Sequence, residues 1–225
     1  MADTRPTFHH QLDDVQRDLM RASARVTEAI ARGTEALLAL DLSEAEAIVA
    51  GDEELNELTL DIEERCFTLL ARQQPMASDM RAVVTAIRLT SELERSGDLM
   101  VNVAKATRRL SGTVVPPALQ SLLQAMGNES ARLMQRAMDA YADGDADVAA
   151  LVDGMDDRLD QLHRDYIHAI LELYADVRDV QAAVQLALVG RYYERIGDHA
   201  VNISERVQYM VTGSLPDHGT SESPR

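Results

Sequence analysis

Glu94-Arg95-Ser96-Gly97-Asp98-Leu99-Met100-Val101-Asn102 returns one hundred residues later as Glu194-Arg195-Ile196-Gly197-Asp198-His199-Ala200-Val201-Asn202. The same shift aligns Asp79, Ala82 and Val84 with Asp179, Ala182 and Val184. A shift of 104 aligns Asp52, Leu55, Leu58, Asp61 and Leu69 with Asp156, Leu159, Leu162, Asp165 and Leu173. The two shifts differ by four residues. The spacing places that difference in a hairpin turn, where Gln73 to Met76 has no counterpart in Ala175-Asp176-Val177-Arg178. Turns are where a structural duplication tolerates a change of length.

Between its glycine and proline clusters the chain is rich in Ala, Leu, Glu, Arg and Met, the strong helix formers. No run alternates apolar and polar residues as a half-buried strand does. Six helices are predicted, at about 7–40, 43–72, 77–110, 118–142, 145–174 and 177–212. The second opens with Ser43-Glu44-Ala45-Glu46, a capping-box pattern. Ser111 to Pro117 is a linker, because two prolines in series stop a helix. The fold class is all-α, with two tandem pseudo-symmetric three-helix bundles at 7–110 and 118–213. The small, polar tail 214–225 is expected to be disordered.

Composition excludes several classes. Acidic residues outnumber basic ones 38 to 22 over 225 residues, for a formal charge of −16. Such a surface repels nucleic-acid backbones and anionic lipid headgroups. The single cysteine, Cys66, rules out an internal disulfide and a cysteine zinc cage, and fits a reducing cytosol. No apolar run reaches the ~20 residues of a membrane helix, and Met1 to Pro6 has no leader-like apolar region. No glycine-rich phosphate loop and no Ser-His-Asp or Cys-His pairing can be argued. Cys66, among Ile62, Phe67 and Leu69, reads as core.

At about 100° per residue, Ala86, Leu89, Leu93, Met100 and Val103 form one stripe of the third helix. Leu186, Val189, Tyr193, Ile196, Ala200 and Ile203 form its counterpart on the sixth. These are packing stripes. Glu94 and Asp98 lie roughly opposite, as do Glu194 and Asp198, each pair spaced i, i+4. Asn102 and Asn202 extend the rows by a turn. Residues equidistant from a hairpin turn stand level. That places Asp52 beside Asp98 and Asn56 beside Glu94, with Asp156 beside Asp198 and Asp160 beside Glu194. If the rows face, each half offers four oxygen side chains from two helices. Carboxylates and amides without cysteine suit hard or borderline cations. His199, next to Asp198, and His163, one turn after Asp160, favour iron or zinc in the second half. Gly97 and Gly197, in mid-helix, mark a close helix approach or room for a ligand.

The stretches Glu94 to Asp98 with Asn102, and Glu194 to His199 with Asn202, resemble the paired E/D-x-x-x-D motifs of the PhoU family of phosphate-signalling regulators. Leu69-Leu70-Ala71-Arg72-Gln73-Gln74-Pro75-Met76-Ala77-Ser78-Asp79-Met80-Arg81 is similar to that family's first hairpin turn, and the likeness runs from about Phe8 to Gly213. The resemblance implies a cytoplasmic homodimer that is not an enzyme. It implies a restraint on the phosphate-starvation response and a modulation of phosphate uptake. The partners it implies are the ATPase subunit of the phosphate ABC transporter and a membrane sensor histidine kinase. It further implies iron or zinc on the acidic motifs, matched here by Glu94, Asp98, Glu194 and Asp198. Asn56 opposite Asp160, Leu99 opposite His199 and Lys105 opposite Glu205 leave the first half with fewer hard ligands. Two other classes stay open: a ferritin-like carboxylate oxidase or metal store, approached by Asp160-x-x-His163 and Asp165-x-x-His168 in one half alone, and a helical scaffold without a ligand.

Overall fold

The computed structural model describes residues 5–73, 75–174 and 180–215. Among these residues the chain forms six helices: α1 (Arg5–Ala39), α2 (Leu42–Gln73), α3 (Ser78–Arg109), α4 (Pro117–Asp143), α5 (Ala146–Leu173) and α6 (Val180–Thr212). The fold is all-α, as the composition and periodicity require. Beyond Leu215 the expected disordered tail lies outside the described residues, as does Ala175-Asp176-Val177-Arg178 of the second turn.

Among the described residues the four-residue mismatch between the repeats shows as a longer α2. α5 ends at Leu173, the counterpart of Leu69, whereas α2 continues to Gln73. Four residues are close to one helical turn, so α2 lengthens without rotating its faces appreciably.

The turns before α2 and α5 share one design. Asp41 N–H donates to Ala36 O at 2.9 Å across Leu40 (φ 52°), and Asp145 N–H donates to Ala140 O at 2.9 Å across Gly144 (φ 62°). Each aspartate then caps the next helix. Asp41 Oδ1 accepts from Ser43 N and Glu44 N, and Asp145 Oδ1 from Asp147 N and Val148 N. The capping box expected at Ser43 is therefore displaced. Asp41 takes the cap because a carboxylate satisfies the free amides and meets the positive end of the helix dipole. Gly144 is the better left-handed residue of the two. Nothing lies within 4 Å of a Cβ added there, so Gly144→Ala carries only the backbone term. It should lower stability by about 1 kcal/mol, read as a lower urea midpoint with an unchanged slope.

α1, α2 and α3 pack on one another, and so do α4, α5 and α6. The halves join through α3 on α6 and α1 on α4, leaving α2 and α5 on the outside. One apolar core runs through both halves, from Leu19 and Leu89 to Tyr193 and Ile203. The predicted stripes are its centre: Ala86, Leu89, Leu93, Met100 and Val103, and their α6 counterparts, are all essentially inaccessible. Tyr193 Oη shares a buried 2.8 Å hydrogen bond with Thr34 Oγ1, tying α6 to α1. Cys66 is fully buried beside Ile62 and Leu69, and burial pushes its thiol up to about 12, so it is an inert packing group. Phe67, by contrast, is exposed.

Candidate functional site

In the first half α2 and α3 carry their rows toward each other. Gly97 lets the helices close: a Cβ there would meet Leu55 Cδ2 at 2.5 Å and Asp52 Oδ1 at 3.2 Å. Asn56 and Glu94 border one cleft with Thr59 and Thr90. Level and facing are thus both realised. The Asn56 amide donates to Asp52 Oδ2 at 3.2 Å. Burial and the neighbouring Asp98 raise the Asp52 carboxyl, while the Asn56 bond and Lys105 draw it back down. Glu94 and Asp98 themselves are exposed, and Asn102 one turn on is partly buried.

The second row is drier. Asp156 lies directly on Gly197, whose missing side chain leaves the space for its Oδ1. Glu194 is only 13% exposed at its side chain and pairs with Arg191 through Oε1. Arg164 reaches Asp160 Oδ2 at 3.7 Å. The arginines therefore occupy outer oxygens, while Asp156 Oδ1 and Glu194 Oε2 are buried with no hydrogen-bond donor. Burial, with Asp160, Asp198, Glu194 and Asp153 around it, pushes the Asp156 carboxyl up to about 7. Burial and Asp198 likewise raise Glu194. His163 rests on Gly190, its Nε2 also buried and unpaired, and burial with Arg191 lowers its basicity.

Among the described residues, no three His, Cys, Asp or Glu side chains already converge on a point that could hold a metal ion. The donor set of the second row nevertheless suits a cation. Crowded, desolvated carboxylate oxygens without donors are relieved by positive charge. The first row retains one such atom, the neutral Asn56 Oδ1. Neither row faces the apolar interior in which a ferritin-like centre is built.

The seam between α3 and α6 holds groups that sequence spacing did not single out. Ser96 Oγ stands 3.0 Å from His199 Nδ1, and Asn202 Nδ2 donates to Glu92 Oε2 at 3.4 Å. Asn202 and His199 also border, with Asp153, Asp156, Asp198, Arg95 and Arg195, a polar cleft of about 400 Å³. Glu92, which burial raises, and Ser96 lie on α3 yet act on the second half's row. The Ser96–His199 pair is no hydrolytic dyad, since both side chains are buried.

Comparison with known proteins places these rows in context. The PhoU domain family model matches residues 19–107 and again 123–207, one match per repeat. The chain is 35% identical over 98% of its length to the Mycobacterium leprae phosphate-specific transport system accessory protein PhoU homolog 1, covering 100% of that protein. It is 32% identical over 95% of its length to the Clostridium acetobutylicum PhoU homolog, covering 98% of it. The crystal structure of PhoU from Pseudomonas aeruginosa superposes with a TM-score of 0.87 at 30% identity, over 92% of this chain and 100% of that one. The phosphate transport system regulatory protein PhoU from Streptococcus pneumoniae gives 0.86 at 29% identity, over 93% and 99%. Two family-model matches, relatives aligned along nearly the whole chain and the shared six-helix architecture make this chain a member of the PhoU family.

Proposed function

We propose that this chain is a negative regulator of the phosphate-starvation response and a modulator of phosphate uptake. It acts in the cytoplasm as a homodimeric adaptor between the ATPase subunit of the phosphate ABC transporter and a sensor histidine kinase. The observation that carries this is the near-complete alignment with accessory proteins of phosphate-specific transport. The physical character of the chain is in keeping with it. No described helix is long and apolar enough to cross a membrane, so any membrane role runs through partners. The described residues are almost wholly helical and share one main apolar core through both halves, which suits a scaffold that presents surfaces.

Iron or zinc on the acidic motifs belongs to the same proposal. Asp156, Glu194 and Asp198 are the groups that would hold it. A bound divalent ion would supply the positive charge that the unpaired Asp156 and Glu194 oxygens lack. Asp156 lies on α5 and Glu194 on α6, so this chain's own contribution is to hold two helices at the level where that charge is needed.

Disrupting the gene should raise expression of phosphate-starvation genes in phosphate-replete cells by tenfold or more, read with a transcriptional reporter, and the intact gene should restore repression. Normal repression in the disrupted strain overturns the regulatory role.

A further inference from the structure

The α2–α3 and α5–α6 hairpins differ at their open ends, away from the turns. In the first half the start of α2 and the end of α3 enclose a groove of about 210 Å³. Ala45 and Ala104, 4% and 2% exposed, form its floor, and belong with Ala36 and Ile48 to a small apolar cluster apart from the main core. Leu42 and Val49, each 39% exposed, form the α2 wall. Lys105 and Arg108 form the α3 wall. Lys105 acts on Asp52 from a distance, but among the described residues no carboxylate stands within ion-pair range of either cation. The groove's one carboxylate is Glu46.

The repeat supplies the comparison. Asp41 and Asp145 cap their helices alike, so the two helix starts correspond in structure as well as in sequence. Leu42 then answers to Ala146, Val49 to Asp153, Lys105 to Glu205 and Arg108 to Gln208. The floor stays small in both halves, with Ala149 and Ser204 at the places of Ala45 and Ala104. The hairpin therefore needs neither apolar walls nor a basic rim here, since its second copy has neither. Both are additions of the first half, and holding Leu42 and Val49 in water gains the fold nothing.

Shape and charge name the occupant. The volume falls below the ~300 Å³ at which small-molecule pockets begin, so it receives a few side chains rather than a whole ligand. Leu42, Ala45 and Val49 lie at i, i+3 and i+7 of α2, and Ala104 and Arg108 at i and i+4 of α3. A groove between two such ridges takes a third helix. Two cations beside apolar walls, in a chain of formal charge −16, complement a helix whose apolar anchors are flanked by carboxylates. We infer that this groove docks an amphipathic helix of a partner protein, with its apolar residues between Leu42 and Val49 and its acidic residues against Lys105 and Arg108. This rests on the proposed adaptor role, and deepens it by giving one docking surface and the chemistry of the segment it takes.

The test titrates the full chain with helical peptides of about 16 residues, carrying leucines at i, i+3 and i+7 flanked by glutamates. Micromolar binding is expected, weaker by tenfold or more when lysines replace the glutamates and lost when alanines replace the leucines. Val49→Asp and Lys105→Glu should each weaken it tenfold or more. Each imports the residue that the second half carries at the matched position, so the hairpin accommodates it. Leu60→Ala, on an exposed part of α2 outside the groove, should change nothing. Lys105 is the chain's only lysine, so carbodiimide coupling of complexes from phosphate-replete cells reports on this groove. Mass spectrometry should find Lys105 joined to an Asp or Glu of another protein, in a segment with apolar residues at helical spacing. Equal affinity for the lysine- and glutamate-flanked peptides overturns the charge assignment. Binding that survives both Val49→Asp and Lys105→Glu overturns the location. Coupling to a second copy of this chain, told apart by isotope labelling, or to no other chain, overturns the partner. A Val49→Asp chain that loses the peptide yet represses phosphate-starvation genes like the parent overturns the groove's part in the adaptor role and leaves that role standing; the gene disruption decides the role itself.

Discussion

Gly197→Ala should destabilise the chain by about 2 kcal/mol and weaken zinc binding at the same time. In an exposed helix the substitution would be favourable by up to ~1 kcal/mol, because alanine restricts the unfolded chain more and suits the helix better. Here a Cβ would overlap Asp156 Oδ1 and stand 2.6 Å from Leu159 Cδ2. Leu159 is fully buried and has nowhere to retreat, so either α5 is pushed off α6 or Asp156 swings out of the row. Gly154→Ala is the matched control: nothing lies within 4 Å of its added Cβ, so it should raise stability by about 0.5–1 kcal/mol and leave zinc affinity alone. Urea unfolding of the metal-free proteins and zinc calorimetry give the two readouts. A Gly197→Ala protein as stable as the parent, with unchanged affinity, would show that α5 and α6 do not close at this point as described.

The hairpin register was legible because it depends on chain length alone. Counting outward from the turn places Asp52 against Asp98 and Asp156 against Asp198, and helix geometry does the rest. The glycines were legible for a different reason: glycine costs a helix stability, so its recurrence in mid-helix at matched positions marks a close approach or room for a ligand. The cap of α2 was misassigned because Ser43 and Asp41 are both good caps, and sequence does not say which residue the preceding Leu40 turn delivers to the helix start. The α3–α6 seam was not legible at all. Periodicity reports that α3 has an apolar stripe, but not that its edge residues Glu92 and Ser96 meet Asn202 and His199 from the other repeat. Nor does a repeat alignment reveal solvent. Glu94 and Glu194 align without a gap, yet one is exposed and the other is largely buried beside Arg191, whose counterpart in the first half is the short Ser91.

That difference in burial has a consequence measurable without any metal. Asp156 titrates at about 7 in the fold and near 4 when unfolded, for burial and carboxylate crowding disfavour its charged form. Below pH ~4 both states hold the proton and the group is neutral to stability. Between ~4 and ~7 only the unfolded chain releases it, so folding loses ground as pH rises, and above ~7 the loss is complete. After allowance for partial access to water the effect is roughly 2 kcal/mol. His199 has the opposite sign. Its folded value is about 4 against ~6.5 unfolded, because burial and the arginines refuse it a second proton. Its stabilisation is present above ~6.5 and lost as pH falls toward 4. The two slopes oppose each other between pH 4 and 6.5, so the parent's own profile hides both. Variants separate them. The stability difference between Asp156→Asn and the metal-free parent should move by roughly 2 kcal/mol in the variant's favour between pH 4 and 8. His199→Gln should shift relative to the parent only below about pH 6.5, gaining ground as the solution is acidified. Zinc at pH 7.5 should reverse the first effect, stabilising the parent and not Asp156→Asn. A difference between Asp156→Asn and the parent that is flat from pH 4 to 8 would mean that Asp156 is hydrated or already paired, and that the second row has no unmet charge for a cation to satisfy.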